Sequence, residues 1–484
     1  MYRLLLIIIA FVFTSATTEG KVKYRGPKTV AYRYYLRDKN GGTCSLERPR
    51  KFLSSKSIER RKRQQLPLDS TDLPVPETII KQFKIKGTKV LGTSRWNNTI
   101  LVSAGDSTLL STLAKLPCVK EARMVFCSPD SIDTPVSHQR AHFHMHYNRW
   151  DSLRGDPLGM ARTQIEMLGG ENLHERNLRG KGMTIAVLDG GFQNVDRLLC
   201  FARTSIEGTH DFVGINKKEL SDDEEEEQFY CGIDHGTRVF SAMAAQADQV
   251  ITGTAPEADY WLLKCEDPET EMPIEEDYWA MAAEFADSAG VDIINSSLGY
   301  NDYDAPFKNY QLNDLDGKTS LISRTASMLA HKGIVLCNSA GNSGMGTWKK
   351  ITVPADAFDI LTVGAIDQRG KNAAFSSVGP TQDGRVKPDV MALGSGTTLI
   401  SGHGSLVHDM GTSFATPVVC GLVACLWQGL REKTALEIID LIKRSSSQYN
   451  SSNNIYGYGT PNFWKAYLSA IAELQSTSTT SPQQ

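Results

Sequence analysis

Three short segments carry the residue types that acyl transfer at an amide requires. Asp189 stands in Val187-Leu188-Asp189-Gly190-Gly191, His235 in Asp234-His235-Gly236-Thr237, and Ser413 in Gly411-Thr412-Ser413-Phe414-Ala415-Thr416-Pro417. A serine hydroxyl attacks a carbonyl when a base takes its proton. The base needs an orienting carboxylate, and the developing oxyanion needs fixed donors. Each segment alone is a weak signal, since Asp-Gly marks a turn and Gly-Thr-Ser a helix cap. Together, the order Asp, His, Ser matches one of the three chain orders in which such a triad occurs and excludes the other two.

Each of these residues must be held by a rigid element. Met183–Leu188 is a short apolar run that reads as a buried strand, so Asp189 is a carboxylate at a strand end, with two glycines that let the chain turn away. His235 heads a helix-like run from Arg238 to Ala245, and Gly236 permits close backbone approach. Ser413 opens an apolar helix-like stretch to Trp427. There the positive end of the macrodipole and free N–H groups surround it, and Pro417 is expected in the first turn. Further short apolar runs occur at Tyr260–Lys264, Ile293–Asn295, Ile334–Cys337 and Ile360–Val363, with helical stretches at Glu275–Ala289 and Ser323–His331 between them. This alternation predicts an α/β fold, a parallel sheet with helices on both faces. Functional residues in such sheets collect beyond the carboxyl ends of the strands. Asp189, Asn295–Gly299 and Asn338–Asn342 all follow strands in this way.

Upstream, residues 21–127 read as a small α+β unit. Strands are expected at Thr29–Leu36, Lys89–Leu91, Thr99–Val102 and Val119–Val125, and helices at Ser54–Gln65, Glu77–Phe83 and Ser107–Leu116. The first helix holds the basic run Arg60-Arg61-Lys62-Arg63. Residues 128–160 lack periodicity and form a linker suited to proteolytic processing. In it His142, His144 and His146 alternate and would share one side of an extended chain, where they could bind a metal. A polar tether is the favoured reading. Arg3 followed by the apolar run Leu4–Phe13 and by Thr14, Ser15 and Ala16 marks residues 1–20 as a secretory signal. The run is too short to leave a membrane span once that signal is removed. Residues 475–484 are Ser, Thr, Pro and Gln, a composition expected to stay disordered.

Further segments complete the picture: Asn295-Ser296-Ser297-Leu298-Gly299, Ser339-Ala340-Gly341-Asn342 and Phe375-Ser376-Ser377-Val378-Gly379-Pro380. With the three above, the chain resembles the subtilisin-like serine proteases from about Ala161 to Ala472, within an expected catalytic domain at 161–474. The upstream unit resembles that family's inhibitory propeptides in its order of elements. The resemblance implies a secreted or periplasmic endopeptidase made as a zymogen, acting on protein or peptide substrates, with its own propeptide as intramolecular inhibitor. It implies Ser413 as nucleophile, His235 as general base, Asp189 as orienting carboxylate, and Asn342 with the Ser413 N–H as oxyanion donors. Asn338 is the weaker rival for that amide. Ser297, Leu298, Gly299 and Gly341 would pair with the substrate backbone. The acidic run Asp222–Glu227 could bind structural calcium, as many relatives do, but it matches no calcium-loop spacing. It reads as a solvated loop, with no cofactor required and no metal site expected.

A formal net charge of −3 and the lack of a basic stripe give no reason to invoke nucleic acid. Nine cysteines, none in a CxxC pair, offer little support for structural zinc. Cys200 and Cys231 flank the acidic run and could close it by a bridge, whereas Cys337, Cys420 and Cys425 read as small core residues. A non-catalytic protein keeping this fold would be expected to have lost Ser or His. A lipase-type hydrolase would need a Gly-x-Ser-x-Gly elbow and another triad order.

Overall fold

The computed structural model describes residues 22–24, 26–132, 140–142, 155–215 and 221–479. The expected signal, His144 and His146 lie outside the described residues. The N-terminal unit follows the predicted order: β1 (Val30–Leu36), α1 (Ser55–Arg63), α2 (Glu77–Phe83), β2 (Thr88–Ser94), β3 (Thr99–Ala104), α3 (Ser107–Leu113) and β4 (Val119–Cys127). Its antiparallel sheet runs β2-β3-β1-β4. Period-two alternation splits the strands between two cores. Tyr34, Ile100 and Val102 pack with Phe83 and Leu110 of the unit's own helices. Ala31, Leu101 and Phe126 point the other way, into a core shared with the C-terminal part of the chain, and Val125 joins them where a register shift breaks the alternation.

That larger part is a seven-stranded, all-parallel sheet made of β5 (Thr184–Asp189), β6 (Ser205–Asp211), β7 (Asp259–Lys264), β8 (Ile293–Ser296), β9 (Val335–Ser339), β10 (Leu361–Ile366) and β11 (Val390–Leu393), in the order β11-β10-β9-β8-β5-β7-β6. Between and after the strands lie α4 (Asp222–Phe229), α5 (His235–Ala244), α6 (Ile274–Ala289) and α7 (Leu321–Met328). A hairpin of β12 (Ser395–Ile400) and β13 (Leu406–Met410) then leads into α8 (Thr412–Gln428). Helices cover both faces. Ile185 and Val187 pack with α5 and α8, while Ala186 and Leu188 pack with α6 and α7. Asp189, at the end of β5, therefore stands near the middle of the sheet.

Several details depart from the sequence-based expectations. The acidic run is helix α4, not a loop. Ser221 and Glu224 form a capping box, and four carboxylates in the first turn suit the positive helix end. Cys200 and Cys231 are both free, so no bridge closes that segment. The last helix, Phe463–Thr479, continues into the stretch expected to lack structure, because burial of Phe463, Ala466 and Ala470 anchors it and further turns propagate cheaply. Strands β6 and β11 were not anticipated: β6, polar Ser205–Asp211, is an edge strand without an apolar run, and β11 is a four-residue apolar edge that follows directly on the polar segment ending at Asp389. Among the described residues no helix is long and apolar enough to cross a membrane.

The N-terminal sheet lies on α6, and buried charges fix it there. Arg33 forms a bidentate pair with Asp277 at 2.6–2.9 Å. Asp287, fully buried, receives Arg60, Arg61 at 2.9 Å and Arg95 at 2.6 Å, and Arg61 also reaches Asp72 at 2.9 Å. Burial opposes ionisation of Asp287, but the three guanidinium groups outweigh it and hold the carboxyl below its usual range. Two residues of the basic run are thus interior anchors. Removing one member of such a cluster strands buried charge. In the full-length chain carrying Ser413→Ala, Asp287→Ala is expected to lower stability by about 3–5 kcal/mol, read as the urea midpoint. Lys28→Ala, which breaks only the exposed pair with Asp130, is expected to leave the midpoint nearly unchanged. Because the Asp287 carboxyl is depressed, its contribution is complete above the unfolded carboxyl pKa and is lost as pH falls through the folded value.

Candidate active site

Strand β5 delivers Asp189 with no solvent exposure, and its Oδ1 accepts the Gly190 N–H at 2.8 Å. His235 begins α5, and its Nδ1 lies 2.9 and 3.0 Å from the two Asp189 oxygens. Close backbone approach makes this possible. Gly236 N donates to Gly191 O at 2.9 Å, and a Cβ on Gly236 would stand 2.5 Å from that oxygen and 3.0 Å from the Asp189 Cβ. The imidazole side chain is 26% exposed. Burial lowers its pKa, but Asp189, through charge and hydrogen bond, overrides this, and Glu266 adds to the rise, so protonation is favoured above the ordinary histidine value.

Glu266 was not singled out in the sequence. It follows β7, and a Cβ on Gly190 would come within 2.7 Å of its Oε2, so the glycine makes room for a carboxylate. Burial, then Asp189, push the Glu266 carboxyl up to about 7, with His235 pulling the other way. The sequence signal was available, because Glu266 follows a predicted strand as Asp189 does.

Ser413 is the second residue of α8, where the first N–H groups of a helix have no intrahelical acceptor. Its hydroxyl donates to Ser297 O at 3.2 Å and not to the imidazole, while the ring of the next residue, Phe414, lies 5.7 Å from the His235 ring. Pro417 is the sixth residue of the helix, not part of its first turn as expected. Lacking an N–H, it leaves the Ser413 carbonyl without its i+4 partner. The Ser297 hydroxyl takes that carbonyl at 2.8 Å. Ser297 and Ser413 are therefore tied by two reciprocal hydrogen bonds.

Asn342 Oδ1 accepts from Thr412 N at 2.9 Å and Thr412 Oγ1 at 3.0 Å, which turns its NH2 group away from the helix and leaves it unpaired among the described residues. The rival Asn338 is buried, with its amide donating to Ser339 O and Leu298 O. Gly341 has φ +103°, and its N–H donates to Thr412 Oγ1 at 3.2 Å. Leu298 is buried and Gly299 exposed, so the segment after β8 presents backbone to solvent. Thr412, which the sequence did not single out, joins these pieces. Cys337, Cys420 and Cys425 are buried in the core. Chemically the arrangement offers a paired imidazole, a hydroxyl at a helix start and an oriented free amide, the groups that amide hydrolysis requires.

The family model of the subtilase family matches residues 180–459. This chain belongs to that family. By class a subtilase is a serine-type endopeptidase. A second model, for the peptidase S8 propeptide domain of Bacteroidota, matches residues 31–141. Among curated relatives, serine protease AprX of Bacillus subtilis strain 168 is 28% identical over 318 residues, covering 59% of this chain and 66% of AprX. The thermostable alkaline protease of Halalkalibacterium halodurans is 26% identical over 296 residues, 61% of this chain and 70% of that one. Subtilisin Savinase of Lederbergia lenta is 27% identical over 309 residues, 63% of this chain and 96% of the relative. Among solved structures, the prenylagaramide maturation protease PagA aligns at 22% identity and a TM-score of 0.47, covering 62% of this chain and 97% of its own.

The charge balance in this subtilase gives a direct prediction. Glu266→Gln removes a negative charge that favours the imidazolium, so the pKa of His235, followed by NMR of the imidazole in Ser413→Ala protein, is expected to fall. An unchanged or higher value would contradict the assigned coupling.

Proposed function

We propose that this subtilase is an exported endopeptidase made as a precursor that removes its own N-terminal unit, with Ser413, His235 and Asp189 as the catalytic groups. The observation that carries the proposal is the Asp189 carboxylate clasping His235 Nδ1 at 2.9 Å beside the helix that begins at Thr412. With Nδ1 so engaged, the other ring nitrogen is the one free to accept a proton. Rotation about the Ser413 Cα–Cβ bond releases its hydroxyl from Ser297 O and turns it toward that nitrogen. Attack on a peptide carbonyl then passes the hydroxyl proton to His235 and forms a tetrahedral oxyanion. Proton return to the amine expels the first product, and water repeats the sequence on the acyl-enzyme.

The Asn342 amide and the Ser413 N–H are the donors for the oxyanion. Thr412 supports this role, since it fixes the amide before any substrate arrives. Ser297–Gly299 and Gly341 would receive the substrate backbone. The N-terminal unit, docked on α6, acts as the intramolecular inhibitor until the linker in 128–160 is cut. No step in this scheme draws on a metal or organic cofactor. Export rests on the basic, apolar and small-residue order of residues 1–20, with protein or peptide substrates outside the cytoplasm.

A fluorophosphonate probe is expected to label processed protein and to fail with Ser413→Ala. N-terminal sequencing should find a new terminus within 128–160 in wild type and none in that variant. Asn342→Ala is expected to lower kcat about 10²–10³-fold, the size of effect measured for such an amide in a subtilisin. Labelling that persists in Ser413→Ala would overturn the assignment of the nucleophile.

A further inference from the structure

A short piece of the chain, residues 140–142, is joined by hydrogen bonds to the residue that precedes His235. Asp234, next to His235, accepts the Gly402 N–H at 3.0 Å. Asn194 Nδ2 donates both to Gly402 O and to Ala141 O at 2.9 Å, and His403 Nδ1 contacts His142 O. The backbone at 141–142 is thus held by two side chains, each taking a carbonyl. The residue before them, Arg140, is clasped by two carboxylates. Its Nε and Nη2 donate to Glu227 at 2.7 and 2.9 Å, and its Nη1 and Nη2 to Asp196 at 2.7 and 3.1 Å. Nη1 also lies 3.5 Å from Tyr230 O, and the guanidinium stands 5.4 Å from the centre of the Tyr230 ring. The Arg140 side chain is only 13% exposed.

We propose that Asp196, Glu227 and the Tyr230 ring form an arginine-recognising subsite for the part of a peptide substrate that departs with the leaving amine, and that Arg140 occupies it in the uncut chain. Two carboxylates gripping one planar group, with an aromatic face beneath it, is the recognition geometry of guanidinium and not of ammonium. Asn194 and His403 would take the backbone carbonyls that follow. The polarity comes from the catalytic scheme, on which this inference rests. In that scheme His235 hands its proton to the leaving amine, and the segment joined through Asn194 and Gly402 to Asp234, the residue before His235, is assigned to the departing side. Arg197 is the other cation here, 3.1 Å from Glu227 and 3.6 Å from Asp196. With Arg140 gone, two carboxylates face one arginine whose side chain is 44% exposed, and the pocket still favours a cation.

The test uses processed enzyme from the full-length chain and internally quenched peptides that place arginine, lysine or alanine at each position after the cleaved bond in turn. At one position arginine is expected to raise kcat/KM over alanine on the order of tenfold, with lysine well below arginine. Asp196→Asn combined with Glu227→Gln brings the arginine-to-alanine ratio near one. The same peptides run on Arg140→Ala enzyme, where no internal guanidinium competes, show the same preference. Equal rates with arginine and alanine in both enzymes, or a preference that survives the double substitution, overturns the subsite. Hydrolysis of the all-alanine peptide separates this failure from failure of the peptidase reading: were wild-type enzyme to leave every peptide uncut, both would fall.

Discussion

A carboxylate with no access to water needs compensation, and at Asp189 that requirement organises everything around it. An ion moved into the interior of a protein loses several kcal/mol of hydration unless hydrogen bonds and opposite charge replace it. The Gly190 N–H and the His235 ring supply that replacement, and both depend on glycine. A side chain at 190 would strike Glu266, and one at 236 would strike Gly191 O. The strand end, the two close approaches and the start of α5 therefore form one rigid unit, and the imidazole inherits its position and its raised affinity for protons from it.

A second unit stands opposite. Helix α8 cannot complete its hydrogen bonding at Ser413, because Pro417 offers no N–H. Ser297 accepts the consequence, giving its hydroxyl to the Ser413 carbonyl and its own carbonyl to the Ser413 hydroxyl. A helix irregularity thus ties Ser413, the proposed nucleophile, to the segment proposed to hold substrate. Thr412 does the same on the other side by orienting Asn342. Defects in regular structure at such places are where geometry departs from what local propensity alone would give.

Much of this was legible in the chain itself, for physical reasons. Buried strands announce themselves as apolar runs, so β5, β7, β8, β9 and β10 were found, and with them the positions that follow their ends. Edge strand β6 carries Ser, Glu, Thr, His and Asp and gave no such signal. The acidic run was misread because charge density obscured its capping residues, Ser221 and Glu224. Glu266, Thr412 and Phe414 escaped notice since their importance lies in what they touch across the fold. The pairing of Arg60 and Arg61 with Asp287 was equally invisible, as more than two hundred positions separate the partners.

The interior placement of Arg60 and Arg61 has a further bearing on how the precursor is dismantled. Enzymes that cut after runs of basic residues need several residues of extended, accessible chain, and here the run is helical with its two leading members sealed inside. The bond that looks most vulnerable on paper is shielded for as long as the N-terminal unit stays seated. On the proposed removal of that unit, scission at this run would have to follow its departure from α6.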